Sequence, residues 1–60
     1  MENKRFLDVN DVAAYMDISQ SKAYKIIRAL NKELSERGFI TVAGKISKVY
    51  FEEKIYGIAS

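Results

Sequence analysis

The chain has 60 residues, 48% of them apolar, and a formal net charge of +2. That length allows one domain, and a domain so small buries only about 60% of the surface its unfolded chain exposes. With no Cys and no His, disulfides, thiolate catalysis and the usual zinc and haem ligands are excluded; no apolar run approaches the ~18 residues of a membrane span, and no secretory signal pattern opens the chain. The lack of Cys fits a reducing, cytoplasmic setting.

Residues 1–5 are polar and are expected to be flexible. Phe6 and Leu7 are the first core candidates. Asp8 then reads as a helix N-cap, with Asp11 as its capping-box partner and Leu7 and Val12 at the staple positions. The first helix is predicted to run from Val9 to about Met16, with Val9, Val12, Ala13 and Met16 on its buried face. Asp8 and Asp11 also set negative charge at the positive helix end, which accounts for them without any catalytic role.

Met16, Asp17, Ile18 and Ser19 leave room only for a tight helix–turn–helix corner. Asp17 stands where such corners often carry Gly, and Asp tolerates left-handed geometry better than most residues. Ala13 is small enough for the two helices to approach, and Ile18 can fill the gap between them. Ser19 caps a second helix, with Ile18 and Ala23 at its staple positions. Apolar residues at 23, 26, 27, 30 and 34 form one helical face. The rest of the helix carries Gln20, Ser21, Lys22, Tyr24, Lys25, Arg28 and Lys32. Gly38 ends it, since a left-handed residue is cheap there. One face can pack on a core while the other presents cations, an amide and a phenol, a combination suited to the DNA major groove.

After Gly38 the period changes. Residues 39–43 are β-branched and aromatic, a strand signal. Gly44 and Lys45 suggest a turn, and residues 45–47 a short returning strand. The resulting hairpin, or wing, must lie against the helices, because an isolated hairpin is barely stable. For the last segment, a strand would put Glu53 among Val49, Phe51 and Ile55. A helix capped by Ser47 aligns Phe51, Ile55 and Ile58 instead and is preferred, with Gly57 near its end. Tyr50 and Tyr56 then belong to a core edge.

The charge is unevenly placed along these elements. Residues 1–21 hold two cations against four carboxylates. Residues 22–48 hold seven cations against Glu33 and Glu36, and residues 49–60 hold Lys54 against Glu52 and Glu53. A clustered basic face is the electrostatic footprint of a nucleic-acid binder. A solvated helix face with internal pairs, such as Glu33 to Arg37, is the plainer alternative.

The run DVAAYMDISQSKAYKIIRAL at residues 11–30, then Gly38, the segment GKIS at 44–47 and an aromatic-rich helix resemble the small winged helix–turn–helix proteins of the excisionase type, within the broader superfamily of mercury-resistance-type regulators. The resemblance spans residues 6–57, leaving 58–60 as a tail. It implies an α+β winged helix–turn–helix fold with two core helices, a β-hairpin wing and a short C-terminal helix. It also implies that the helix after the turn enters the major groove while the wing touches the flanking backbone. The matching positions are Gln20, Ser21, Tyr24, Lys25 and Arg28 on the helix and Lys45 at the wing tip. Asp17 in place of Gly is the clearest departure and bears on the turn, not on the DNA face.

In chemical terms, Gln20 can pair with adenine, and Arg28 with guanine or a phosphate. Ser21 can bond a phosphate or a base edge. Tyr24 can pack on a thymine methyl, bond a phosphate or simply brace the turn. Lys22, Lys25, Lys32 and Lys45 suit phosphate contacts, which set register and affinity. Backbone N–H groups at the starts of both helices can add more. An enzyme is not expected, since there is no His base, Cys nucleophile or Gly-rich phosphate loop; no cofactor, metal or small-molecule ligand is expected either. The expected role is sequence-specific binding of double-stranded DNA as an excisionase, or recombination directionality factor, of a mobile element. Such a protein would bend or coat DNA to assist an integrase. A small transcriptional regulator and a protein-interaction module of the same fold are the alternatives. The expected state is a monomer that binds adjacent sites cooperatively, head to tail.

Overall fold

A computed structural model describes residues 5–56. Ile58, Gly57 and the tail at 58–60, like residues 1–4 of the expected flexible start, lie outside the described residues. The order is β1 (Phe6–Asp8), α1 (Val9–Met16), α2 (Gln20–Glu36), β2 (Lys45–Ser47) and α3 (Lys48–Tyr56). Three helices and a two-stranded antiparallel sheet make an α+β, winged-helix-like arrangement.

Each helix starts where its capping chemistry places it. The Asp11 amide donates to Asp8 Oδ1 at 2.9 Å, and the Asp8 amide donates to Asp11 Oδ2 at 3.0 Å, a reciprocal capping box. At α2 the Lys22 amide donates to Ser19 Oγ at 3.2 Å, and at α3 the Tyr50 amide donates to Ser47 Oγ at 3.3 Å. Between α1 and α2, Asp17 takes left-handed geometry with φ 58° and ψ 51°. This lets Ile18 return its amide to the Ala13 carbonyl at 3.0 Å and turn its side chain against the core. The end of α2 is a Schellman motif: Gly38, with φ 91°, donates to the Ser35 carbonyl and Phe39 donates to the Leu34 carbonyl, both at 3.0 Å.

The core is Leu7, Val12, Ala23, Ile27, Leu34, Ile46 and Phe51, with Val9, Ala13, Ile18, Leu30, Tyr50 and Ile55 packed around it. Every element contributes to it. Three expected core members do not belong: Phe6 is half exposed, Met16 is 37% exposed and Tyr56 is 65% exposed. Phe6 precedes Leu7 on a strand, so it points to the other face, and Met16 and Tyr56 are the last residues of α1 and α3.

The wing is built differently from the expected hairpin. Residues 39–41 form no regular structure, and Val42 makes a single bridge to Lys45. The main partner of β2 is β1, in antiparallel register Phe6↔Ser47, Leu7↔Ile46 and Asp8↔Lys45. The Lys48 amide extends that edge to the Arg5 carbonyl at 2.9 Å. Pairing β2 with β1 sets Leu7 opposite Ile46 and buries both. The Phe39 amide is already bonded to the end of α2 and cannot join a ladder. The side chains of Phe39, Ile40 and Val42 consequently stay exposed and, with Phe6 and Val49, line an open groove of about 420 Å³ between the wing and α3.

Candidate nucleic-acid interface

The exposed side of α2 follows from its buried side. Ala23, Ile27 and Leu34 face the core, with Ile26 and Leu30 half covered. Residues elsewhere around the cylinder must face water, and Gln20, Ser21, Lys22, Tyr24, Lys25, Arg28 and Lys32 all do. Two shallow depressions run along this side. One is lined by the corner residues 17–19 with Ser21, Lys22 and Lys25. The other is lined by Lys25, Arg28, Ala29 and Lys32. Lys25 borders both, so the corner and the middle of α2 form one continuous surface bearing four cations. Ala29 keeps its floor low between Arg28 and Lys32.

The two helix starts differ electrostatically. The start of α1 is filled by the carboxylates of Asp8 and Asp11, so it repels an anion and corrects the expectation of phosphate contacts at both helix starts. The first turn of α2 holds no acidic residue, and its dipole adds positive potential beside Lys22.

Gln20 and Tyr24 need separate description. The Gln20 amide donates to Asn10 Oδ1, which ties the start of α2 to α1. To meet a base edge, that amide must first leave Asn10. The Tyr24 ring is 43% exposed, a position open to both a DNA contact and a brace on the turn.

Lys45 lies on β2, apart from the depressions of α2. It is exposed, and its backbone is fixed: its amide donates to the Val42 carbonyl at 3.1 Å. Asn31 links this turn to α2. Its side-chain amide donates to the Val42 carbonyl at 3.1 Å and to the Lys45 carbonyl at 2.8 Å. Residue type alone does not single out Asn31, but its position carries a signal. It sits four residues after Ile27 and three before Leu34, where an apolar stripe would continue, and an amide at such a position needs a partner.

Arg37 and Glu33 serve the fold. Glu33, expected to pair with Arg37, accepts from the Tyr50 hydroxyl at 2.6 Å and meets Lys54 Nζ at 3.3 Å. The Tyr50 bond, then Lys54, hold the Glu33 carboxyl below its ordinary range, and Arg37 adds to the effect. Arg37 and Lys54 also lie 5.6 and 5.5 Å from the centre of the Tyr50 ring, within cation–π range. On the opposite edge of α3 the Tyr15 and Tyr56 hydroxyls are 2.6 Å apart. The described residues contain no cluster of acidic, His or Cys side chains that could hold a metal ion, and no helix among them is long and apolar enough to cross a membrane.

No protein-family model and no solved structure matches this chain. It is 40% identical over 48 residues to the ICEBs1 excisionase of Bacillus subtilis (strain 168), an alignment spanning 80% of this chain and 75% of that protein. The chain belongs to the excisionase family. The excisionase-type resemblance read from residues 11–30 and 44–47 thus stands on a relative as well as on spacing. Excisionase membership places the chain in the context of DNA recombination and mobile elements.

Proposed function

We propose that the protein is a recombination directionality factor of a mobile element that binds double-stranded DNA and assists an integrase. The observation that carries this reading is the continuous surface from Ser21 to Lys32, four cations on the side of α2 opposite the core. In it α2 enters the major groove. Arg28 and Gln20 read base edges, Ser21 and Tyr24 support them, and Lys22, Lys25, Lys32 and the wing's Lys45 hold phosphates. The role is architectural and non-catalytic, and it needs no cofactor. A single module of this kind covers about 600–1,000 Å² on DNA, a small interface for tight binding. Neighbouring copies on adjacent sites, arranged head to tail, supply the missing affinity and bend the duplex.

A gel shift with unrelated duplex at low salt is the first test, and a shift is expected. With about four or five phosphate contacts, log K falls against log salt with a slope near −4; a slope flatter than about −2 rejects the contact set. Titration on duplexes carrying one, two and three sites, in direct and inverted orientation, then separates the roles. Cooperative filling of direct repeats by a monomeric protein is the expected result. A stable dimer that prefers inverted half-sites would replace this reading with a transcriptional regulator, and no shift at all would favour a protein-interaction module.

A further inference from the structure

Asn31 occupies an unusual place for a polar residue. Its neighbours along the same helical stripe, Ile27 and Leu34, are buried, and Asn31 itself is half covered. Both hydrogens of its amide are committed, one to the Val42 carbonyl and one to the Lys45 carbonyl. These two carbonyls bracket the turn through Ala43 and Gly44, whose φ of 78° lets the chain reverse. The turn has little apolar support. Val42 is 51% exposed and Ile40 92% exposed, and Ala43 lies in solvent. A side chain of the DNA-facing helix therefore grips the base of the wing on both sides.

We infer that Asn31 is a positioning residue that fixes Lys45 relative to the basic side of α2, so that helix and wing meet the duplex as one rigid surface. This inference rests on the proposed DNA-binding role. Lys45 has a long, flexible stem whose rotamer freedom opposes any phosphate contact. The ladder to Asp8 and the amide bond to Val42 already hold the Lys45 backbone within the wing. The Asn31 bond to its carbonyl adds the tie to α2, so that the stem starts from a fixed point relative to the helix before DNA arrives, which is preorganisation. The geometry requires a donor of two N–H bonds on a short stem. Asp has the shape of Asn but would set a carboxylate against two carbonyl oxygens, and Gln is longer by one methylene. Ala removes the grip while improving the helix, because Ala is the stronger helix former.

The test uses the full chain and a duplex with one site. Asn31→Ala and Asn31→Asp are each expected to weaken binding about two- to fivefold, the scale of one exposed charge contact. They are expected to do so equally for specific and unrelated duplexes and to reduce the salt slope by about 1. Lys45→Ala should give the same slope change, and Asn31→Ala/Lys45→Ala should bind no worse than Lys45→Ala alone. Circular dichroism of Asn31→Ala should show an intact fold. A residue that only supports the fold would lower the melting temperature, leave the slope unchanged and add its effect to that of Lys45→Ala; that pattern overturns the inference. Failure of the unaltered protein to bind duplex DNA overturns the parent reading instead.

Discussion

Asp17 carries the corner between α1 and α2 in a left-handed conformation that costs an L residue energy. Its amide bonds back to Ala13, and this main-chain bond survives any substitution except proline. Asp17→Gly is therefore expected to stabilise the protein by up to about 1 kcal/mol in urea denaturation, with DNA affinity unchanged or raised, because Asp17 borders the depression lined by Lys22 and Lys25. A clear loss of stability would mean that the Asp17 carboxylate itself holds the corner. The residues proposed to face DNA divide by what they would touch. Arg28→Ala and Gln20→Ala should weaken a specific site by about 1–3 kcal/mol and relax base preference, whereas Lys45→Ala should weaken all sequences alike. Competition assays with scrambled duplexes separate the two behaviours. If Lys45→Ala alters base preference and Arg28→Ala does not, helix and wing have exchanged roles.

At the scale of elements, the docking of α3 on α2 contains a titratable latch. Glu33 accepts from Tyr50 and faces Lys54, and its carboxyl is held below the ordinary value of 4.5. A depressed carboxyl contributes stability that is complete above 4.5 and lost as the pH falls through the lower, folded value. Tyr50 mirrors this: the bond to Glu33 raises its phenol above 10.0, so its contribution is complete below 10.0 and lost as the pH rises through the folded value. Glu33→Gln should therefore be destabilising at neutral pH, with a deficit against the unaltered chain that shrinks on acidification below 4.5. Thermal melts across pH measure this, and a deficit of constant size at every pH would refute the latch. The elements also differ in how far the sequence revealed them. The bounds of α1, the Ser19 cap, the Gly38 stop and the helical form of α3 were legible because caps and periodicity are local. The β1–β2 pairing was not, because Leu7 and Ile46 are separated by most of the chain and a β-rich run at 39–42 lay nearer. That run has strand propensity, but it lacks a free Phe39 amide and a surface to cover. On α2 the basic side was legible from residue type and spacing. The engagement of Gln20 with Asn10 and the grip of Asn31 on the wing were not, since each depends on another element's position.

The whole molecule rests on a small core in which Phe51, Ile27, Ile46 and Val12 are fully buried. A domain of this length has roughly 3–9 kcal/mol of stability in total. Removing the Phe51 ring costs about 3–5 kcal/mol, so Phe51→Ala is expected to be unfolded or nearly so at 37 °C by circular dichroism. A cooperative melt close to that of the unaltered chain would show that α3 is dispensable to the core. DNA that binds the folded state alone should raise the melting temperature in proportion to the logarithm of its concentration.

The chain holds four tyrosines and no tryptophan, which turns the contact between Tyr15 and Tyr56 into an optical gauge. The two hydroxyls share a hydrogen bond of 2.6 Å, and the Tyr15 ring meets the Phe51 ring edge-on with centres 5.4 Å apart. The pair spans α1 and α3, and the bond to Tyr56 raises the Tyr15 phenol above its ordinary 10.0. In an ultraviolet alkaline titration, part of the phenolate band should therefore appear late while α3 is seated and move to lower pH once it detaches. Detachment of the last helix, a motion without an obvious chromophore in most small domains, becomes visible in this protein without any label.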